Sequence, residues 1–95
     1  MKDETGLYYH PDPSDAKTRV YVREGTAGVE FRMWRADHPE VWERHEWLAY
    51  DVLLAAASMY KERGNKADPL AFYDLNVAKA LLKEEARKNA QAKSN

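Results

Sequence analysis

Residues 39 to 63 read as a helix with apolar side chains on two opposite faces, and this pattern constrains the fold more than any other feature. At about 100° per residue, Val41, Leu48, Val52, Ala55 and Met59 form one stripe, flanked by Trp42, His45, Ala56 and Tyr60. Trp47, Tyr50 and Leu54 point roughly the other way. A surface helix needs a single apolar stripe. A segment with two must be covered on both sides, by its own domain or by a partner.

The punctuation of this segment supports a helix over 38–63. Pro39 suits a first helical turn, His38 or Asp37 is the expected cap, and Glu40 and Glu43 complement the positive end of the dipole. Lys61 and Arg63 occupy the last turn, and Gly64-Asn65 supplies a left-handed stop. Asp68-Pro69 restarts a second helix over 68–88. Its expected buried face is Leu70, Tyr73, Val77 and Leu81, widened by Ala71, Leu75, Ala78 and Leu82. Residues 89–95 lack apolar anchors and are expected to fray.

Upstream the period changes to two. Thr18 to Glu24 and Val29 to Arg35 alternate around Gly25-Thr26-Ala27-Gly28, the pattern of a β-hairpin. Pairing Val22 with Phe31 joins the apolar sets and also sets Arg23 against Glu30 and Arg19 against Trp34. A two-residue slip would oppose Arg19 and Arg32, which repel, so the first register is expected. Leu7 to His10 has strand character, ends at the loop Pro11 to Asp15, and either joins the hairpin or stays apart. Residues 1–6 are polar and expected to be loose.

These elements give an α+β fold in one domain spanning 1–95. A β region over 7–35, as an antiparallel hairpin or three-stranded meander, packs on a C-terminal antiparallel helical hairpin (ββαα or βββαα). Composition narrows function mainly by exclusion. A formal charge of -1 supplies no global field toward nucleic acid or anionic lipid, and with Cys at 0 there is no disulfide or thiolate chemistry. No apolar run is long enough to cross a bilayer and Met1 to Gly6 carries no apolar signal core, so a cytoplasmic protein off the membrane is the expectation.

No cofactor or phosphate-loop motif is visible, because Gly25-Thr26-Ala27-Gly28 lacks the Gly-Lys-Ser/Thr ending. Ser58 sits inside a helical pattern without a nucleophile elbow. His38 and His45 share a helix face but lie about 10 Å apart along the axis, too far to ligate one metal ion. Enzymatic function is therefore the weaker expectation. Its best candidate is an acid–base pair of Asp74, expected within the apolar arc of the second helix, and His45.

Two binding readings rank above it. The leading one is a non-catalytic protein-interaction module, binding a partner or a second copy as a homodimer through Trp47, Tyr50 and Leu54. The alternative is single-stranded nucleic-acid binding on the hairpin face that interleaves Arg19, Tyr21, Arg23, Arg32 and Trp34, with Lys17 and Arg35 nearby. Glu24 and Glu30 dilute the charge of that face.

Overall fold

The computed structural model describes residues 2–26, 28–44, 46–64 and 69–93. Four strands form one antiparallel sheet in the order of the chain: β1 (Leu7–Tyr9), β2 (Thr18–Gly25), β3 (Gly28–Arg35) and β4 (Leu48–Ala49). A short helix α1 (Glu40–Arg44) precedes β4, and α2 (Tyr50–Glu62) follows it directly. A 3₁₀ turn (Pro69–Ala71) then leads to the C-terminal helix α3 (Leu75–Lys93). The α+β class holds.

The hairpin register is the one that joins the apolar sets, with Val22 opposite Phe31, Val20 opposite Met33, Arg23 opposite Glu30 and Arg19 opposite Trp34. The strands meet at Gly25 and Gly28. Gly28 has φ +118°, where a side chain is strained, and a Cβ on Gly25 would run into the Glu30 carboxylate. β1 does join the hairpin, pairing Leu7 with Val22 and Tyr9 with Val20.

Alternation then sorts the side chains. One face carries Val20, Val22 and Phe31, which bury with Leu53, Tyr73 and Ala78; Leu7, Tyr9, Met33, Leu48 and Leu81 pack around them. Both α2 and α3 lie on this face, α3 across β1 to β3 and α2 against β3 and β4. Each helix packs on the sheet rather than along the other, so the expected helical hairpin is not the main contact.

The helix expected over 38–63 is two helices separated by a strand. α1 ends at Arg44, and Leu48 is drawn into an antiparallel pair with Phe31. The end of α1 is tied to the sheet. The Arg32 guanidinium donates from Nε (2.9 Å) and from Nη2 to the Trp42 carbonyl, one of the last-turn acceptors that a continuing helix would have used. The two apolar faces are thus resolved by passing the segment round the edge of the sheet. Trp42 covers one face of the sheet and Leu53 the other.

Breaking the helix also changes which residues are buried. Val52 (54% exposed), Met59 (50%) and Ala55 face outward, although they belong to the stripe expected to meet the core. The buried residue is Leu53, between the two stripes read from the sequence. The expected stop is present, with Gly64 at φ +70° donating to the Lys61 carbonyl (3.1 Å).

The second helix starts at Leu75, later than expected. Asp74 is its cap, accepting from the backbone N–H of Asn76 (2.9 Å) and Val77 (3.2 Å). Asp68, the expected cap, lies outside the described residues. The junction before Asp74 is pinned to β1 by Tyr9, whose hydroxyl donates to the Phe72 carbonyl (2.6 Å) and accepts from Asp74 N–H (2.8 Å). That clamp lets Tyr73 turn inward onto Phe31, ring centroids 5.5 Å apart. The helical face rotates accordingly: Ala78 is fully buried and Val77 is 37% exposed. α3 runs on through Lys93, past the expected end near Lys88, because Ala, Gln and Lys there are strong helix formers with no Gly or Pro among them.

Residues 2 to 6, expected to be loose, make defined contacts with the sheet and α3. Asp3 accepts from the N–H of Thr5 (2.8 Å) and Gly6 (3.2 Å) and folds back on the sheet, while Lys2 pairs with Glu85 of α3 (2.5 Å). Asp-Glu-Thr-Gly is a recognisable Asx-turn composition, and that signal was available in the sequence.

Candidate functional site

The face of the sheet away from α2 and α3 is a lattice of rings and guanidinium groups. Strand alternation places Tyr8, Arg19, Tyr21, Arg23, Arg32 and Trp34 there, and α1 adds Trp42. The Arg19 guanidinium lies between Tyr8 (4.6 Å to the centroid) and Trp34 (4.8 Å). Arg32 covers Trp42 at 4.0 Å and Arg23 covers Trp47 at 4.3 Å. Trp42 meets Tyr21 edge-on at 5.3 Å and Trp47 at 6.0 Å. Each cation–π contact contributes about 0.5–2 kcal/mol, depending on how far it is desolvated.

Carboxylates answer two of these cations. Arg19 pairs with Asp3 (3.1 Å) and Arg23 with Glu30 (2.6 Å). Burial pulls the Asp3 carboxyl upward, but hydrogen bonds from the Tyr21 hydroxyl and from Thr5 and Gly6 N–H, with Arg19 beside it, leave it below its ordinary value. Burial first, then the hydrogen bond to Asp3, push the Tyr21 hydroxyl the other way. Tyr21 itself is 3% exposed, so it forms the floor of the face and offers no free surface. Arg32 differs from its neighbours. Its bonds go to a carbonyl, and no carboxylate pairs with it among the described residues.

The nucleic-acid candidates are therefore together in space, largely engaged with one another. Between them a cleft of about 170 Å³ is lined by Thr5, Tyr21, Trp34 and Trp42. A second cleft of about 270 Å³ lies at the far end of the sheet between Pro11, Asp12, Asp15, Thr18, Met33, Arg35 and Phe72. Its carboxylates serve the loop: Asp12 accepts from Ser14, and Asp15 from Lys17 N–H and the Thr18 hydroxyl.

The interaction candidates are dispersed. Trp47 precedes β4 and stacks on Arg23 on the lattice side, whereas Tyr50 opens α2 with its ring 6.1 Å from Phe31 on the core side. Only Leu54, 45% exposed, faces outward on α2. Trp47, Tyr50 and Leu54 do not form one patch, because the strand between Trp47 and α2 takes Trp47 off the helix. On α2 the apolar surface that does remain is Val52, Leu54, Ala55 and Met59, with Tyr60 at 39% exposure; Phe72 and Val77 are exposed elsewhere. A continuous helix was the wrong template for finding it.

Asp74 is exposed and occupied as a helix cap, so the carboxylate expected in an apolar arc is not there. His45, its proposed acid–base partner, lies outside the described residues. His38 contacts Glu40 at 3.1 Å at the start of α1. The residue that the sequence did not single out is Tyr9, whose hydroxyl is raised to about 12 by burial above all and which joins β1 to the start of α3. No helix among the described residues is long and apolar enough to cross a membrane. The chain matches no protein-family model, no curated protein and no solved structure.

Proposed function

We propose that the protein is a non-catalytic interaction module that binds a partner protein through the apolar ridge of α2. The observation that carries this reading is the exposure of Val52 and Met59, each half accessible on the same side of one helix. Large apolar side chains clustered at the surface mark contact sites more often than scattered ones do.

Charge at the ridge selects the partner. Asp51 and Glu62 are exposed and lie along one edge of the Val52, Ala55 and Met59 row. That acidic edge suits an amphipathic segment with an apolar stripe edged by Lys or Arg. Amide chemical-shift mapping with a Leu/Lys amphipathic model peptide, against its Leu/Glu counterpart, tests this. Shifts centred on Val52, Ala55 and Met59 with the basic peptide, lost in Met59→Glu, are the expected result. Equal response to both peptides, or none on α2, contradicts it.

A further inference from the structure

Independently of the α2 ridge, we propose that the cleft between the β1–β2 loop, the end of β3 and Phe72 binds a free α-amino acid with an apolar side chain.

The walls set the size and the apolar half of the ligand. The loop after β1 contributes Pro11, Asp12 and Asp15, the paired ends of β2 and β3 contribute Thr18, Met33 and Arg35, and Phe72 closes the space from the segment before α3. The cleft measures about 270 Å³. Pockets for drug-sized molecules begin near about 300 Å³, so a ligand with one ring or one branched chain suits it. Phe72 is 48% exposed, a large apolar side chain left open, and the half-buried Pro11 and Met33 line the same space. The frame is also fixed in advance. The Phe72 carbonyl is held by the Tyr9 hydroxyl (2.6 Å), and the Asp15 carboxylate accepts from Lys17 N–H (3.0 Å) and the Thr18 hydroxyl (2.9 Å). Ala36 N–H donates to the Lys17 carbonyl (2.8 Å), tying the loop to the end of β3. A preformed cleft loses little conformational entropy on binding.

The charges set the polar half. Arg35 brings the positive charge to the cleft. Its Nε is buried without a hydrogen bond, and the Asp37 carboxylate stands 3.7 Å away, beyond hydrogen-bond length. No hydrogen bond within the described residues engages its two terminal nitrogens, and its side chain is 41% exposed. A guanidinium in that state suits a carboxylate, which it can hold through two parallel bonds. Asp12 brings the opposite charge. Both hydrogen bonds from Ser14 fall on Oδ1 and hold the carboxyl below its ordinary value, so Oδ2 of an ionised group is open to an ammonium. An amine alone would set a cation against Arg35, and a carboxylate alone would face Asp12 and Asp15. A chain terminus carries only one of the two charges. An ammonium, a carboxylate and an apolar side chain on one small frame make an apolar α-amino acid.

The test follows the Met33 methyl signal and the amide signals of Ser14, Thr18 and Phe72 while L-phenylalanine, phenethylamine, phenylpropanoate or glycine is added. L-Phenylalanine should move them saturably, with half-saturation on the order of 1 mM or below. The amine and the acid each lack one charge and should bind about tenfold more weakly. Glycine, which lacks the apolar group, should not saturate in the same range. Arg35→Met should bring L-phenylalanine down to the level of the amine, and Asp12→Asn to that of the acid. Phe72→Ala, at an exposed position, should weaken binding about fivefold or more with near-UV circular dichroism otherwise retained. No saturable shift at these residues overturns the inference. So does phenethylamine, phenylpropanoate or glycine binding as tightly as L-phenylalanine. If a variant unfolds, the ranking of the four probes on the wild type decides.

Discussion

The two faces of this sheet are built from the same strands but cohere by different physics. On one, Val20, Val22 and Phe31 are at most 3% exposed and are closed by Leu53, Tyr73 and Ala78. Burial there is non-directional and proportional to area. On the other, Arg19, Tyr21, Arg32 and Trp34 are held by ring–guanidinium stacking, an Asp3 carboxylate and a carbonyl, all of which require particular geometry. The first face should tolerate neighbouring substitutions of similar shape and fail when volume is lost. The second should lose its arrangement when a single polar partner is removed, while the domain stays folded.

The largest effect is expected on the apolar face. Phe31→Ala removes a side chain at 0% exposure that touches both helices' side of the core, and should cost about 3–5 kcal/mol in urea denaturation. A cost below about 1 kcal/mol would mean that the two faces are not so different. Next comes Arg32→Met, which keeps the stem over Trp42 but leaves its carbonyl without the guanidinium. Loss of this charge-assisted bond should cost about 1.5–3 kcal/mol and shift Trp42 emission, with far-UV circular dichroism nearly retained.

Asp74→Ala, at the junction where polar bonds position an apolar helix, should cost about 0.5–2 kcal/mol by removal of the cap. Amide exchange in the first turn of α3 would report it. An unchanged exchange rate there would show that Tyr9 alone fixes the helix start.

The smallest effects come from titration, and they sharpen the comparison because each face has its own group. Asp3 is depressed in the folded state, so its contribution is complete above its ordinary value near 3.8 and is lost as pH falls through the lower folded value. Near-UV circular dichroism should change below about pH 4, and Asp3→Asn should remove that change. Tyr9 is raised from 10.0 to about 12 by burial, so its contribution is complete below pH 10 and is lost as pH rises toward 12. Tyr9→Phe should remove part of the alkaline transition, with buried Tyr73, also raised, supplying another part.

Strand alternation carried the hairpin into view because every favourable pair, Val22 with Phe31, Arg23 with Glu30, Arg19 with Trp34, demanded one register. The helical period was less informative for residues 39 to 63. Two apolar faces on one segment have two physical solutions, a helix covered on both sides or a segment that crosses from one side of a sheet to the other. Periodicity is identical in both until the break, and the contact made there comes from Arg32, a side chain of a distant strand. Long-range polar contacts of this kind also hid the roles of Asp3 and Tyr9, whose partners lie 18 and 65 residues away. Asp74 was misplaced for the same reason, since a Tyr9 clamp moved the helix start.

The central claim is that α1 and α2 are separate helices on opposite faces, joined through β4. Nuclear magnetic resonance measures this most directly, through backbone shifts from Glu46 to Ala49 and a cross-strand Overhauser contact between Leu48 and Phe31. The account predicts extended shifts and that contact, reflecting the Phe31–Leu48 pair. Uninterrupted helical shifts from Glu40 through Glu62, with no contact between Leu48 and Phe31, would contradict it.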